Sequence, residues 1–455
     1  MVSSTPLPAR QWAGISIGAT LDRLPVVRTH RLLTTAVGAG LFFDFFDSNL
    51  SGTISKVLQA DFAVGATSLK LILASAFVGQ FFGALLLGRL ADRVGRRTAF
   101  LINLAVYSLA TLAGAFAPTA GWLIVTRFIA GVGIGAEQCL SDSYLAEILP
   151  PTRRGRFVGW AYTLAYCGVP AVGFAALWLT PHHIFGVVGW RWLFVLGAVG
   201  SVIAWLLRRR LIESPRWLAS RGRVAEAEEL VGAMRAEAGS VPLASDEPVE
   251  SQPTPAVTSV LAVLRRPYLR RTIMLWVFCA LSSVIYYGFG TLAPQVLAEK
   301  GYSVVQGLAY TAVSFLGYPI GSLLSLPLLD RVERRTLLAT SGAAVAVCGL
   351  GFGLSGVSAA VVSFGVAYTL LSNVFANVSH VYLAEQYPTG VRTTAVGAAY
   401  SLSRLSTGAL PFVLLPVLTA GGPVWLFMAI AGCAAVLVTT VLALGGRTTG
   451  SSVGT

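Results

Sequence analysis

The chain has 455 residues, of which 55% are hydrophobic and 12% are charged, and its mean hydropathy is +0.72. A soluble domain carries about 25% charged residues, so a soluble two-domain protein is strongly disfavoured. The formal net charge of +13 lies in loops between apolar runs. Basic residues in such loops orient a membrane protein, and we therefore reject a nucleic-acid-binding function.

Twelve apolar runs along the chain predict twelve membrane-spanning helices, and hence an all-α membrane protein. At 1.5 Å per residue, a run of about 20 residues crosses a hydrocarbon core about 30 Å thick. The first six runs lie near 31–55, 68–89, 98–117, 121–145, 157–179 and 190–208. The second six lie near 270–297, 306–329, 336–356, 359–384, 393–418 and 423–445.

Two short phrases recur at one offset, which indicates that the two sets of six runs are copies of one unit. The phrase DRVGRR at 92–97 returns as DRVERR at 330–335, and YLAE at 144–147 returns unchanged at 382–385. Both pairs are 238 residues apart (330 − 92 and 382 − 144). Parallel repeats in an apolar chain are typical of transporters built from two pseudo-symmetric bundles.

Polar segments flank the two predicted bundles. The predicted domains are a cytoplasmic N-terminal segment at 1–30, a six-helix bundle at 31–208, a cytoplasmic linker at 209–267, a second six-helix bundle at 268–446 and a cytoplasmic tail at 447–455. Arginines gather in the loops on one side of the bundles, so the positive-inside rule places both termini in the cytoplasm. We expect a multi-pass protein of the cell inner (plasma) membrane, whose first span acts as an uncleaved signal.

The repeated DRVGRR phrase has the composition of a gate. Gly88 and Gly95 permit a tight loop between two helices. Asp92 and the arginines lie at the membrane interface, where ion pairs can hold the two halves together in one state and break in another. The alternative is that the arginines only orient the protein, but orientation requires neither Asp92 nor the glycines.

These phrases resemble signatures of the major facilitator superfamily, in its branch related to sugar porters. Gly88-x-x-x-Asp92-Arg93-x-Gly95-Arg96-Arg97 resembles the motif between spans two and three, and Arg127-x-x-x-Gly131-x-Gly133-x-Gly135 resembles the motif of span four. Glu147, Pro150 and 154–156 (RGR) look like the motif after span four. The phrase ESPRWL at 213–218 is similar to the one after span six.

The resemblance covers essentially the whole chain and implies a secondary active transporter that works by alternating access. It implies a gating set of Gly88, Asp92, Arg93, Gly95, Arg96, Arg97, Glu147, Arg154, Glu213, Arg216, Asp330, Arg331, Arg335, Glu385 and Arg392. In the second copy Glu333 replaces the motif glycine and Leu326 stands in place of the leading glycine. We therefore expect the second gate to be weaker or differently tuned.

Charged residues inside predicted spans are functional candidates, because their burial in a bilayer is costly. Asp44 and Asp47 lie three residues apart in span one. Two close carboxylates in a low-dielectric interior do not both ionise easily, so the pair is suited to proton uptake and release. The alternative is that a neighbouring helix satisfies one of them structurally.

The resemblance adds a partner for this pair. In the branch related to sugar porters, an aspartate follows an aromatic residue here, as in Phe46-Asp47, and pairs with the span-four arginine, here Arg127. Aromatic-acid symporters carry Asp-Gly-aromatic-Asp, and 44–47 (DFFD) keeps that spacing with Phe in place of Gly. We predict that Asp44, Asp47 and Arg127 carry proton coupling.

The second half contributes Arg404, which is predicted to lie near the middle of span eleven. An arginine there needs a carboxylate partner or an anionic ligand, and both alternatives remain open. Aromatic and polar neighbours complete the predicted substrate site: Tyr162, Tyr166, Tyr286, Tyr287, Asn373, Asn377, His380 and Glu137. The place of Asp142 in span four is left open.

The favoured function is proton-coupled symport of a small organic acid, with aromatic carboxylates as one class. The alternatives are a sugar or polyol symporter and an organic-cation or drug carrier. Span seven lacks the Gln-Gln and Asn that sugar porters place before their paired tyrosines, and span ten lacks their Pro-x-x-Trp phrase. No catalytic triad, metal cluster or nucleotide loop has sensible spacing, so we expect no enzyme, cofactor or metal. The expected partners are substrate, protons and the bilayer, with the protein acting as a monomer.

Overall fold

The computed structural model describes residues 17–239, 269–386 and 389–446, with the side chains of 88, 89, 92, 330, 384, 385 and 389–398 outside that description. The long helices of the first half are Arg28–Thr53, Ala66–Val94, Arg96–Ala115, Ala120–Gly135 followed by Glu137–Ile148, Pro151–Tyr166 followed by Gly168–Leu179, and Gly189–Arg208. Those of the second half are Leu269–Glu299, Val304–Phe315 followed by Gly317–Arg331, Arg334–Leu354, Ser358–Glu385 and Thr389–Leu444. We number them as spans in chain order.

The described part of the chain contains twelve crossings. Ten stretches are long and apolar enough to span a membrane. One of them, Ala399–Leu444, is interrupted by the non-helical Gly422 (φ 78°, ψ −175°) and so contains spans eleven and twelve. The helix Arg28–Thr53 adds span one, because its 26 residues suffice to cross even though two aspartates make it less apolar. The predicted twelve-helix all-α fold is therefore confirmed.

The predicted limits of the spans are close to the observed ones, with two exceptions. Span two was predicted to end near 89 but runs to Val94, so residues 92–94 of the gate phrase belong to its last turn. Span five was predicted to start near 157 but begins at Pro151, so the arginines at 153, 154 and 156 lie in its first turns and not in a loop. A proline in the first helical turn is favourable, because its missing N–H is not needed there.

Shorter elements lie outside the spans. The helix Ile17–Arg23 precedes span one, and Pro215–Ser220 and Val224–Ala238 occupy the described part of the predicted linker. An antiparallel hairpin pairs His183 with Val188 between spans five and six. Residues 1–16, 240–267 and 447–455 of the predicted segments lie outside the described residues.

The glycines of span four allow this helix to pack closely against its neighbours. A Cβ added at Gly131 would collide with the backbone of Ala76 on span two, and one added at Gly135 would collide with the backbone of Gln80. Gly133 lies against Asn103 and Tyr107 of span three in the same way. Small residues permit such backbone contact between membrane helices. Span four is therefore held close against spans two and three.

Large apolar side chains cover the outer surface of the helices. Leu109, Phe116, Trp178, Val347 and Val436 are all more than half exposed. An apolar surface of this extent is unsuited to water but matches the hydrocarbon of a bilayer. The polar side chains inside the bundle are therefore shielded from water. Each of them needs a hydrogen-bond or charged partner within the protein.

Candidate functional site: buried ion pairs and a central cavity

An ion pair between spans one and four lies at the core of the first half. Arg127 Nη1 donates to Asp47 Oδ1 at 2.9 Å, and Arg127 Nη2 donates to the Asp47 carbonyl at 2.8 Å. The Thr111 hydroxyl donates to the same carboxylate oxygen at 3.0 Å. Both charged side chains are only 1% exposed. The structure thus brings together the two residues that the family resemblance pairs.

A second buried ion pair joins spans four and six. The Arg208 guanidinium binds the Glu137 carboxylate, and both side chains are 0% exposed. Arg208 Nη2 also donates to the Val37 carbonyl of span one at 2.9 Å, and its Cζ lies 4.4 Å from the centre of the Phe100 ring. Glu137 was predicted to contact substrate, but it faces this arginine in the interior and does not line the cavity described below.

Asp44 lies beside this second pair. It is 2% exposed, and neither carboxyl oxygen has a hydrogen-bond partner among the described residues, although Tyr107 lies near it. Asp44 interacts electrostatically with Glu137, Arg208 and Asp47. Among the described residues, this cluster thus holds three carboxyl groups but only two guanidinium groups. Full ionisation would leave one negative charge uncompensated, so this cluster is suited to holding one proton.

A central cavity lies between the two halves, with an empty volume of about 630 Å³ that is partly open to solvent. Clefts between helical bundles, with a few polar groups set in apolar walls, are typical sites for small organic molecules. Its lining comprises Phe45, Gln138 and Tyr166 from the first half and Phe278, Cys279, Ser282, Ser283, Tyr286, Tyr287, Phe375, Ala376, Ser379, His380, Leu383, Tyr400, Ser403 and Arg404 from the second. Most of the wall therefore belongs to the second half.

Arg404 presents the one charged side chain of this lining. Its Nη1 donates to the Tyr287 hydroxyl at 3.0 Å, and its Nη2 donates to Gln138 Oε1. No carboxylate among the described side chains forms an ion pair with it. The described side chains thus form no fixed ion pair with Arg404, which was one of the two alternatives left open for it.

Aromatic rings form one wall of the cavity. The rings of Tyr286 and Tyr287 lie 4.8 Å apart in an edge-to-face arrangement, and Phe77 of span two packs against Tyr287 at 5.1 Å. Tyr166 lies 6.4 Å from Tyr286 across the boundary between the halves. Rings at these distances favour a flat apolar ligand over a fully hydrated one.

Other predicted substrate residues lie behind the lining. The Tyr162 hydroxyl donates to Asp142 Oδ1 at 2.8 Å, and the Tyr162 ring lies 5.6 Å from that of His380. Asn377 Nδ2 donates to the hydroxyl of Ser325 at 2.7 Å. Asn373 is buried without reaching the cavity. These residues support the wall, whereas Tyr166, Tyr286, Tyr287, His380 and Arg404 line it.

Hydrogen bonds and ion pairs gather at the end of the bundle that carries the short loop at Gly95, between spans two and three, and we call it the basic end. Glu213 Oε1 accepts from the backbone N–H of Arg96 at 2.7 Å and of Arg97 at 3.2 Å, at the start of span three. An anion at a helix N-terminus is stabilised by the helix dipole. Arg96 also pairs with Glu147 at 3.0 Å, so Glu213 and Glu147 fix this loop together.

Asp22 of the helix Ile17–Arg23 extends this network. It pairs with Arg216 at 2.7 Å and with Arg154 at 3.8 Å, and Arg216 Nε donates to the Glu147 carbonyl at 3.0 Å. These ion pairs join helix ends of the first half to the segments that flank it. The predicted bridge between the two halves involves side chains outside the described ones, so it stays a prediction.

In the second copy of the gate phrase, at 330–335, a residue of the phrase itself caps the following helix. Glu333, which replaces the motif glycine, caps span nine by accepting from the Thr336 N–H at 3.0 Å. The Glu333 carboxylate therefore lies at the N-terminus of its own helix, span nine. In the first copy, the carboxylate at the N-terminus of span three belongs to Glu213, which is distant in sequence. Arg335 donates to the Leu442 carbonyl, and Arg331 is exposed, as is Arg93 in the first copy. The side chains of Asp92, Asp330, Glu385 and Arg392, and position 88, lie outside the described side chains.

Sequence reasoning missed Arg208 and Gln138 and left Asp142 open. Arg208 ends an apolar run beside Arg209 and Arg210, so it resembles a topological arginine. Its burial depends on the way span six packs against spans one and four. Gln138 carries no charge and belongs to no motif, so only its contact with Arg404 reveals it.

Comparison with known proteins adds context to this geometry. The profile of the sugar (and other) transporter family matches residues 33–453. The chain is 30% identical to the niacin transporter NiaP of Acinetobacter baylyi over 400 residues, which are 88% of this chain and 90% of that protein. It is 28% identical to the inner membrane metabolite transport protein YdjE of Escherichia coli over 440 residues, 94% and 95% of the two chains.

Solved structures show the same arrangement of helices. The xylose transporter XylE from Escherichia coli, in a partially occluded inward-open conformation, superposes with a TM-score of 0.73 at 19% identity. The match covers 93% of this chain and 99% of that chain. The fold is therefore the two-bundle architecture that the repeat predicts.

Gly95→Ala is expected to destabilise the protein by about 1–3 kcal/mol, because Gly95 has a φ of +99° that other residues adopt only under strain. An added Cβ would also lie 3.3 Å from the Trp217 ring. Thermal unfolding of the purified protein in detergent measures the change. Gly155→Ala is the control, since it lies in a helix with nothing within 4 Å of an added Cβ. Equal melting temperatures for the two variants would contradict the assignment.

Arg208→Met is expected to lower the free energy of unfolding by about 3–5 kcal/mol, because it leaves the buried Glu137 without its partner. Adding Glu137→Gln should recover much of this loss, since the double variant leaves no unpaired charge at this pair. Lowering the pH should narrow the gap between Arg208→Met and the wild type, because protonation neutralises the orphaned carboxylate. A single variant as stable as the wild type would show that the pair is dispensable.

Proposed function

The chain belongs to the sugar (and other) transporter family of the major facilitator superfamily, and we propose that it carries a small organic acid together with protons. Proteins of this family are membrane transporters and not enzymes. The observation that carries the proposal is the Arg404 guanidinium, which faces the central cavity and is held by a phenol and an amide. Neither group neutralises its charge.

A half-buried guanidinium without a carboxylate partner among the described side chains favours an anionic ligand. Carboxylates pair with arginine through short, charge-assisted hydrogen bonds that are roughly twice as strong as neutral ones. A carboxylate held in the cavity would accept from the N–H groups of Arg404, including the group that contacts Gln138 in this structure. It is the simplest metabolite group that would satisfy these donors.

The aromatic wall narrows the class of acid. Tyr166, Tyr286 and Tyr287 offer ring faces and edges within reach of a ligand held at Arg404. A flat ring carrying a carboxylate would contact the guanidinium and the tyrosines at once. A relative of this chain is named for the transport of niacin, which is itself an aromatic carboxylic acid.

The lining distinguishes this proposal from the two alternatives. An organic cation would need a carboxylate, and none is present in the lining among the described residues. A sugar would find the hydroxyls of Ser282, Ser283 and Ser379 and the amide of Gln138, so the sugar or polyol alternative keeps a specific basis. The uncompensated charge of Arg404 favours the acid over the sugar.

Proton coupling is assigned to the first half. The pair Asp47–Arg127 is buried, and protonation of Asp47 would release Arg127 from its charged partner. Asp44 provides a neighbouring carboxyl without a hydrogen-bond partner among the described residues. A proton that neutralises this cluster changes the contacts between spans one and four, and such a change can favour one arrangement of the two halves. The basic end would lie on the cytoplasmic side of the inner membrane.

Asp47→Asn should abolish accumulation of substrate driven by a pH gradient but retain exchange of substrate across the membrane, because the amide still accepts from Arg127 and cannot release a proton. Uptake and counterflow in proteoliposomes measure the two activities. Asp61→Asn is the control, since Asp61 accepts from Trp190 Nε1 at 3.0 Å outside the ion-pair cluster. Undiminished gradient-driven accumulation by Asp47→Asn would refute the coupling role.

Arg404→Ala should weaken binding of an aromatic acid by about tenfold or more, as expected for the loss of hydrogen bonds to a charged group. Isothermal titration with nicotinate, the neutral nicotinamide and xylose measures the selectivity. Arg223→Ala is the control, because Arg223 lies on the surface in an ion pair with Glu226. Unaltered affinity for nicotinate would remove Arg404 from the site, and equal losses for all three ligands would indicate a structural role.

A further inference from the structure

Gln138 joins the two halves at the centre of the cavity. Its side-chain oxygen accepts from Nη2 of Arg404, so a residue of span four contacts a residue of span eleven. Gln138 lines the cavity together with Arg404 and Tyr287. The contact therefore lies in the cavity, at one of the N–H groups that an acidic ligand would use.

The local structure of span four connects this contact to the buried charges. The helix is interrupted at Ala136 and resumes at Glu137. Glu137 turns into the first half and binds Arg208, whereas the next residue, Gln138, turns to the cavity. Arg127, the partner of Asp47, lies on the same span. A displacement of Gln138 would thus act on the helix that holds both buried ion pairs.

We propose that Gln138 and the carboxylate of the substrate compete for the same N–H groups of Arg404, so that acid binding breaks a contact between the two halves. This inference rests on the proposed function. The amide oxygen of Gln138 has the reach and the acceptor geometry of a carboxylate oxygen but carries no charge. Gln138 is thereby a residue that determines specificity.

The relative strengths of the hydrogen bonds to Arg404 determine whether a ligand displaces Gln138. A guanidinium bonds a carboxylate more strongly than it bonds a neutral amide, so an acid displaces Gln138 with a net gain. A hydroxyl of a sugar or a neutral amide ligand has no such advantage and leaves the contact in place. Only an acid would therefore free span four from span eleven, which links recognition of the substrate to movement of the halves.

Two substitutions of Gln138 distinguish competition with the substrate carboxylate from a passive role of this residue. Gln138→Glu supplies a permanent carboxylate to Arg404 and should weaken nicotinate binding by about tenfold or more, because the competitor is now charged. Nicotinamide binding should stay within about twofold of the wild type, because no charge has to be displaced. Gln138→Leu removes the competitor and should bind nicotinate as tightly as the wild type or more tightly.

Gln306→Glu is the matched control, since it introduces the same charge at an exposed residue that caps span eight, where Glu serves as well as Gln. Isothermal titration on the full chain in detergent gives the affinities. Unchanged nicotinate affinity in Gln138→Glu would overturn the proposal, and so would weaker nicotinate binding in Gln138→Leu, which would make Gln138 a ligand of the substrate. If the wild type bound nicotinate no better than nicotinamide, the acid specificity itself would fail, whatever the variants at residue 138 do.

Discussion

The structure depends on the pairing of charges inside a bilayer. A charged side chain that loses water must find a partner, and removing one partner of a buried pair is far more damaging than replacing both. Asp47–Arg127 and Glu137–Arg208 meet this requirement in the first half, and both pairs involve span four. Asp44, Asp142 and Arg404 have no charged partner within ion-pair distance among the described residues. The proposed function assigns the proton to the cluster around Asp44 and the anion to Arg404.

The two halves of the repeat differ in where they place buried charges and where they line the cavity. At the offset of 238 between the copies, Asp44 and Asp47 correspond to Ser282 and Ile285. Ser282 lines the cavity, and Ile285 is fully buried with its carbonyl accepting from Tyr368. The first half has kept the ionisable groups, whereas the second half supplies most of the cavity wall. The gate phrases differ less. Glu333 caps the helix that follows its own phrase, whereas Glu213, distant in sequence, caps the helix that follows the first phrase.

The sequence predicted the helices and one central pair but not the contacts that cross between helices. Hydropathy and the positions of arginines suffice for the spans, because a bilayer imposes length and composition on each helix. Asp47 and Arg127 were predicted together because a family motif names both. Arg208 and Gln138 could not be predicted, since their roles arise from the packing of spans six and eleven against span four. The proposed proton and substrate roles of these residues remain predictions.

The central claim is that a proton gradient drives an aromatic acid through this protein. The direct measurement is accumulation of radiolabelled nicotinate in proteoliposomes with an imposed pH gradient, compared with protein-free liposomes to remove passive entry of the neutral acid. The account predicts protein-dependent accumulation above equilibrium that disappears when a protonophore collapses the gradient. Protein-dependent uptake that only equilibrates, with or without the gradient, would contradict it.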